Sequence, residues 1–101
     1  MATIKDVHIF KDGKSVMRGN ATYESSTLTI KEAKWTDEGA KKNLPFMIKG
    51  GLEVKVKAAG QQMDGHPNPL PPNLQNTGTK WQKEMKATKL PSGDGEARFH
   101  G

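Results

Sequence analysis

Lysine side chains are the groups in this sequence best suited to bind another molecule. The chain carries 16 basic residues against 11 acidic ones, a net charge of +5, and all but two of the basic residues are lysines. A lysine ammonium attracts phosphate as a point charge and does not read bases with the two-pronged geometry of arginine. This composition predicts a negatively charged partner, with nucleic acid as the first candidate and an acidic protein or a nucleotide as the next.

Five residues are candidates for contacting such a partner. Most of the positive excess lies in residues 1–60, which hold 11 basic and 7 acidic residues against 5 and 4 in residues 61–101. The candidates therefore centre on the clearest strand pattern, and they are Arg18, Lys49, Lys55, Lys57 and Trp81. The tryptophan is included because aromatic faces stack on bases in single-strand binding proteins. The competing interpretation is that the lysines only keep a strand face soluble and that both tryptophans belong to the core.

Acid–base catalysis is a second interpretation of the polar residues. A metal-independent ribonuclease needs a general base, a general acid and a cation to stabilise the transition state, and histidine, glutamate and arginine can supply them. The second half of the chain holds these types in His66, Glu84, Arg98 and His100. Because their spacing matches no catalytic motif, the sequence favours a non-catalytic binding or accessory module over an enzyme. A small ribonuclease or toxin domain stays as an alternative.

The residue types that are missing exclude several classes of protein. The chain has no cysteine and three histidines, which removes disulfide scaffolds and thiolate metal sites and predicts no bound metal. Gly50-Gly51 lacks the strand-to-helix context of a phosphate-binding loop, so no cofactor is expected. No apolar run is long enough to span a bilayer and no signal peptide opens the chain. We therefore expect no membrane contact and a cytoplasmic or virion-associated protein.

A proline-rich stretch divides the chain. Residues 60–79 contain four of the six prolines, and proline contributes no amide hydrogen to a helix or a sheet. We expect a single small domain over residues 1–101, with a β core in 1–59, a proline-rich loop or arm in 60–79, and a helix and tail in 80–101. The arm suggests a third function, a self-assembling structural protein of phage or bacterial type that forms homo-oligomers through sheet edges and this arm.

Alternating apolar and polar residues predict strands in the first half. The pattern places them over residues 4–10, 15–23, 27–34 and 52–58, and Asp12-Gly13 is typical of a hairpin turn because glycine accepts a positive φ. One face of each strand is expected to form the core, mainly from Val7, Ile9, Leu28, Ile30, Leu52, Val54 and Val56.

The remaining segments complete the predicted fold. Residues 35–43 are expected to form a loop or one helical turn, and residues 44–49 a short strand. Trp81 and Met85 lie four residues apart, which predicts a helix over residues 80–90. The predicted fold class is mainly β, a small antiparallel curled sheet or partly open barrel of four to six strands with one short C-terminal helix. A two-layer α+β sandwich is the alternative.

Overall fold

The computed structural model describes residues 2–62 and 80–101. They form six strands and one helix. In chain order these are β1 (Ala2–Lys11), β2 (Lys14–Glu24), β3 (Thr27–Trp35), α1 (Glu38–Lys49), β4 (Lys55–Gln62), β5 (Lys80–Lys89) and β6 (Gly95–His100).

The six strands close into an antiparallel barrel in the order β1-β2-β3-β6-β5-β4, with β4 paired to β1. The prediction of a mainly β barrel with one helix is confirmed, and the barrel is closed rather than partly open. Each described strand pairs with two neighbours. The described strands therefore offer no free sheet edge through which copies of the chain could assemble, because closure pairs the backbone groups that an edge would expose.

The first hairpin forms where the sequence predicts it. Asp12 and Gly13 have φ values of 54° and 82°, the pair of positive angles that a two-residue turn of the I′ type requires. Ser25 and Ser26, with φ values of 51° and 61°, make the corresponding turn between β2 and β3. Because the backbone twist of such turns matches that of the strands, both hairpins lead directly into long antiparallel ladders.

The core lies inside the barrel and follows the predicted alternation with one exception. Val7, Ile9, Leu28 and Ile30 are fully buried, and so are Val54 and Val56. Leu52, predicted to share their face, is instead 59% exposed. The alternation does not extend to Leu52 because its amide donates to the Met47 carbonyl oxygen, which holds this residue beside the end of α1 rather than in β4.

The helix is not where the sequence predicts it. Residues 80–89 form strand β5, whereas residues 38–49, expected to be a loop and a short strand, form α1. Helix α1 contains Pro45, whose ring and missing amide cost a helix interior about 3 kcal/mol. Burial of Ala40 and Leu44 in the core cluster offsets this cost, and Met47 and Ile48 pack partly against the same cluster.

Strand β4 extends beyond the predicted boundary of the β core. Residues 60–62, assigned to the proline-rich loop, are its last three residues, while residues 63–79 lie outside the described residues. Gly60 allows the end of β4 to pair closely with β1. A Cβ at this position would lie 2.8 Å from methyl carbons of both Ile4 and Val7. Only glycine lets the two strands approach so closely at this inward position.

Two polar contacts fasten α1 to the barrel. Asp37 caps the helix: its Oδ2 accepts a hydrogen bond from the Ala40 amide at 2.9 Å, and its Oδ1 lies 2.7 Å from Lys14 Nζ on β2. Just before the helix, Trp35 Nε1 donates to the carbonyl oxygens of Pro91 and Gly93 at 3.2 and 3.1 Å. The helix is thereby tied to the first hairpin and to the loop between β5 and β6.

The Asp37 cap predicts an acid-sensitive part of the stability. The Lys14 ammonium and, next, the Ala40 amide hold the pKa of Asp37 below its ordinary value of 3.8. The charged carboxylate therefore stabilises the fold above that ordinary value, and the stabilisation is lost as pH falls through the lower folded-state pKa. Asp37→Asn keeps a capping oxygen but not the charge. We expect the variant to be less stable than the parent at pH 7, and we expect this difference to shrink as the pH falls below 3.8, measured by urea unfolding between pH 7 and pH 3.

Asp94→Asn is the matched control for this comparison. Asp94 is exposed and has no hydrogen bond or ion pair with any residue that the structure describes, so its replacement should leave the parent's pH dependence unchanged. Equal stability losses for Asp37→Asn at pH 7 and at pH 3 would show that the charge of Asp37 has no part in the cap.

Candidate functional site

A concave surface of the described barrel runs along the outside of β4 and β5. It encloses about 770 Å³ and reaches the end of β1 on one side and the end of β6 on the other. The side chains that give it chemical character are Phe10, Lys55, Lys57, Glu84, Lys86 and His100. We call this surface the β4–β5 groove.

The alternation of the strands points the polar side chains into this groove. In β4, Val56 and Ala58 are buried in the core while Lys55 and Lys57 are exposed. In β5, Met85 and Ala87 are buried while Glu84 and Lys86 are exposed. Since successive residues of a strand face opposite sides of the sheet, burying the apolar set places the charged set outside. The predicted exposure of Lys55 and Lys57 on one strand face is confirmed.

Strand register brings three basic side chains into one row. Lys55 of β4 lies directly opposite Lys86 of β5, and Lys86 lies directly opposite His100 of β6. Cross-strand partners have Cβ atoms about 5 Å apart, so two facing lysines repel each other. The Glu53 carboxylate lies 3.7 Å from Lys86 Nζ, whereas Lys55 forms no ion pair with any described residue. The row therefore holds more positive than negative charge.

A second row beside it combines an aromatic ring with two facing residues of opposite charge. Phe10 of β1 is the cross-strand partner of Lys57, and Lys57 is the partner of Glu84. The Phe10 ring stacks on His8, with ring centroids 6.2 Å apart and an interplanar angle of 29°. Both rings lie on the outer face of β1, because they alternate along the strand with Val7 and Ile9, which are buried. An aromatic pair thus borders the lysines on the same side of the sheet.

Trp81 does not belong to this surface. Its side chain is 1% exposed and packs in the core against Tyr23, at 5.6 Å between ring centroids. The assignment of Trp81 as a base-stacking residue is therefore wrong, and the interpretation of this tryptophan as a core residue is right. Its indole Nε1 has no hydrogen-bond partner among residues 2–62 and 80–101. The aromatic residues that face outward beside the lysines, His8 and Phe10, were missed, although the alternation of β1 already separates them from Val7 and Ile9.

The other two predicted binding residues lie on different surfaces. Arg18 lines a separate groove on the outside of β2 and β3, where its Nη2 is 3.7 Å from an Asp6 carboxylate oxygen. Lys49 is in the last turn of α1. Of the five predicted binding residues, the structure brings together Lys55 and Lys57 and adds Lys86 to them. Arg18, Lys49 and Trp81 are elsewhere.

The four candidate catalytic residues are only partly brought together. Glu84 and His100 both line the β4–β5 groove. Arg98 does not line it, and its Nε donates a hydrogen bond to Glu96 Oε1 at 2.7 Å. This hydrogen bond is the main reason why the pKa of Glu96 is lowered. His66 lies outside the described residues, so the structure offers two of the four groups in one place.

The described part of the chain contains no cluster of metal-ligating side chains and no helix that could span a membrane. No three histidine, aspartate or glutamate side chains within residues 2–62 and 80–101 come together as a metal site. The described helix is too short and too polar to cross a membrane. In comparisons with known proteins, no family model, no curated protein and no solved structure matches this chain. The groove must therefore be interpreted from its own geometry.

The two lysines of β4 are expected to affect stability with opposite signs. Lys55 faces Lys86, so Lys55→Gln removes a repulsion and should raise the free energy of unfolding by roughly 0.2–1 kcal/mol at low salt. Lys57 faces Glu84, so Lys57→Gln removes an attraction and should lower it by a similar amount. Urea unfolding of both variants at low and high salt measures this. Both effects should shrink at high salt, and the same sign for both variants would contradict the assigned register.

Proposed function

We propose that the β4–β5 groove binds a negatively charged partner, with single-stranded nucleic acid as the ligand. The observation that carries this proposal is the row Lys55–Lys86–His100 beside an outward-facing aromatic pair. Lysines alone are ordinary on a strand surface. Lysines placed opposite one another, with stacked rings next to them, form an arrangement that costs some stability and suits a ligand with both charge and flat apolar faces.

The lysines supply the attraction for phosphate. Lys55 and Lys57 make no ion pair with described residues and project into open space. A phosphate placed between Lys55 and Lys86 removes their mutual repulsion and gains two attractions at once. Contacts of this kind release counterions from the nucleic acid, so binding of this origin weakens steeply as salt increases.

The aromatic pair favours a single strand over a duplex. Phe10 lines the groove next to Lys57, with His8 stacked beside it, and a base can stack on such a ring only when it is not already stacked within a duplex. Glu84 lies across from Lys57. There it repels phosphate and supplies an acceptor for an exocyclic amino group of a base. An acidic protein would use the lysines but not this combination.

The titration of fluorescent oligonucleotides tests the proposal. We expect the parent protein to bind short single-stranded RNA or DNA with an affinity that falls as salt rises, measured by fluorescence anisotropy at several salt concentrations. Lys55→Gln combined with Lys57→Gln should weaken binding and reduce the slope of log affinity against log salt by about 1.4, since each phosphate contact to a single strand contributes about 0.7. Absence of binding at low salt, or an affinity that does not change with salt concentration, would overturn the proposal.

Two further variants locate the binding surface. Lys31→Gln combined with Lys34→Gln removes the same charge from the groove of Arg18 on β2 and β3. Its salt slope should be closer to that of the parent than the slope of the Lys55 and Lys57 variant is. Phe10→Ala removes the stacking ring without removing charge, so it should weaken binding while keeping the slope. If the Lys31 and Lys34 variant lost more affinity than the Lys55 and Lys57 variant, the Arg18 groove would be the binding surface.

A metal-independent ribonuclease is the second candidate function, because Glu84 and His100 line the same groove as three lysines. In that function one of them accepts the proton of the RNA 2′-hydroxyl, the other protonates the leaving oxygen, and a lysine stabilises the charged transition state. We expect cleavage of RNA but not of DNA by the parent, and loss of cleavage in Glu84→Gln and His100→Ala, with denaturing gels as the measurement. Intact RNA after prolonged incubation with the parent would dispose of this candidate.

A further inference from the structure

Two large apolar side chains of the described residues are exposed, and both lie near the C-terminal end of α1. Phe46 is 77% exposed and Leu52 is 59% exposed. The Gly50 amide donates to the Phe46 carbonyl oxygen at 3.0 Å and the Leu52 amide donates to the Met47 carbonyl oxygen at 2.9 Å. The chain thus folds back on the helix end, and Leu52 stays beside the last turn of α1.

The fold does not need Phe46 where it is. The side of α1 that seals the barrel carries Ala40 and Leu44, which are buried in the core. Phe46 lies on the opposite side, with Lys42 four residues before it and Lys49 three residues after it, both exposed. Residues at these spacings form one stripe along a helix. A polar residue at position 46 would serve the packing of the barrel equally well.

Lysines surround the exposed ring. Phe46 and Pro45 line a shallow groove of about 500 Å³ together with Lys41, Lys42 and Lys49, and Glu38 is the acidic residue that lines it. None of the three lysines forms an ion pair with a residue of the described ranges. We call Pro45, Phe46 and these three lysines the α1 patch. It combines an apolar centre with a positive border.

We propose that the α1 patch docks an acidic peptide segment of a partner protein that carries an apolar anchor residue. Such a segment would place its apolar side chain against Phe46 and its carboxylates near the lysines, the usual arrangement of an apolar anchor within a charged rim. A second copy of this chain fits less well, because two α1 patches facing each other would bring lysines against lysines. Nucleic acid also fits less well, because Phe46 is the one aromatic ring among the residues that line this groove, so successive bases find no second ring to stack on.

Selection of peptides tests this proposal independently of the β4–β5 groove. Short random peptides displayed on phage are selected on the parent protein, and the enriched sequences are synthesised and titrated in solution. We expect enriched peptides to contain several aspartates or glutamates around a leucine, isoleucine or aromatic residue. Phe46→Asp should weaken their binding at least about tenfold, the loss typical of a central anchor contact. Lys42→Glu combined with Lys49→Glu should also weaken it.

Ser25→Asp is the control for added negative charge. Ser25 is exposed in the β2–β3 turn, and its positive φ is one that aspartate adopts readily. This variant should bind the peptides like the parent. Because Phe46 is exposed, its replacement leaves the core intact, and unchanged thermal unfolding of Phe46→Asp checks this. Enriched peptides that lack acidic residues, or that bind Phe46→Asp as tightly as the parent, would overturn the proposal.

Two further measurements separate the other occupants. If Phe46→Asp weakened oligonucleotide binding as much as the Lys55 and Lys57 variant did, the patch would belong to the nucleic-acid surface and the proposal would be wrong. If light scattering showed an oligomer of the parent and a monomer of Phe46→Asp, the patch would be an interface between copies of this chain, which also overturns it. A monomeric parent and unchanged oligonucleotide binding by Phe46→Asp support the proposal.

Discussion

The closed ring of backbone hydrogen bonds around the six strands is the constraint on which the rest of the structure depends. In a closed barrel every residue of a strand faces either the packed interior or the outside, and a slip of one residue in a pairing would exchange the two sets. Where β4 pairs with β1, the side chains of Ile4 and Val7 leave no room for a Cβ at Gly60. The apolar residues of β4 and β5 are therefore held inward. The charged row on the outside, with Lys55 opposite Lys86, is a consequence of core packing and register together.

The same closure leaves an open end that α1 has to cover. A barrel removes sheet edges but leaves core side chains accessible at its ends, and Ala40 and Leu44 supply the missing apolar surface at one of them. Asp37 fixes where the helix begins, and Trp35 fixes the segment just before it to the loop between β5 and β6. A helix used in this way has one buried side. The residues on the other side, Phe46 among them, are exposed and take no part in packing the core.

The sequence predicted strand faces better than it predicted the helix, for a reason visible in β5. A spacing of four residues, as between Trp81 and Met85, is an even number and also close to one helical turn, so it fits a strand as well as a helix. The residue between them, Lys83, lies at an inward position of the strand alternation and is half-buried, so it hides the period of two. Ala87, which the helical stripe omits, is the buried residue that distinguishes the two periods.

The candidate site was predicted in part for a related reason. That Lys55 and Lys57 face outward follows from the alternation within a single strand. That Lys86 and Phe10 lie beside them depends on the register of β4 with β5 and of β1 with β4. No local pattern sets this register, because these strands are joined by long stretches of chain. Trp81 was assigned two roles because its residue type suits both a core and a stacking surface, and only its position in the barrel decides between them.

Barrel closure also determines when the groove can exist during folding. Strand β1 pairs with β2 across a two-residue turn, but its other partner is β4, so that Ile9 pairs with Ala58 far along the chain. Pairings between distant segments form slowly, because the entropy of closing the loop is lost before the contacts are gained. Phe10 and Lys57 come together only through this pairing. A chain that has formed its hairpins but not closed its ring therefore holds the two halves of the groove apart, and the groove exists only once β1 and β4 have paired.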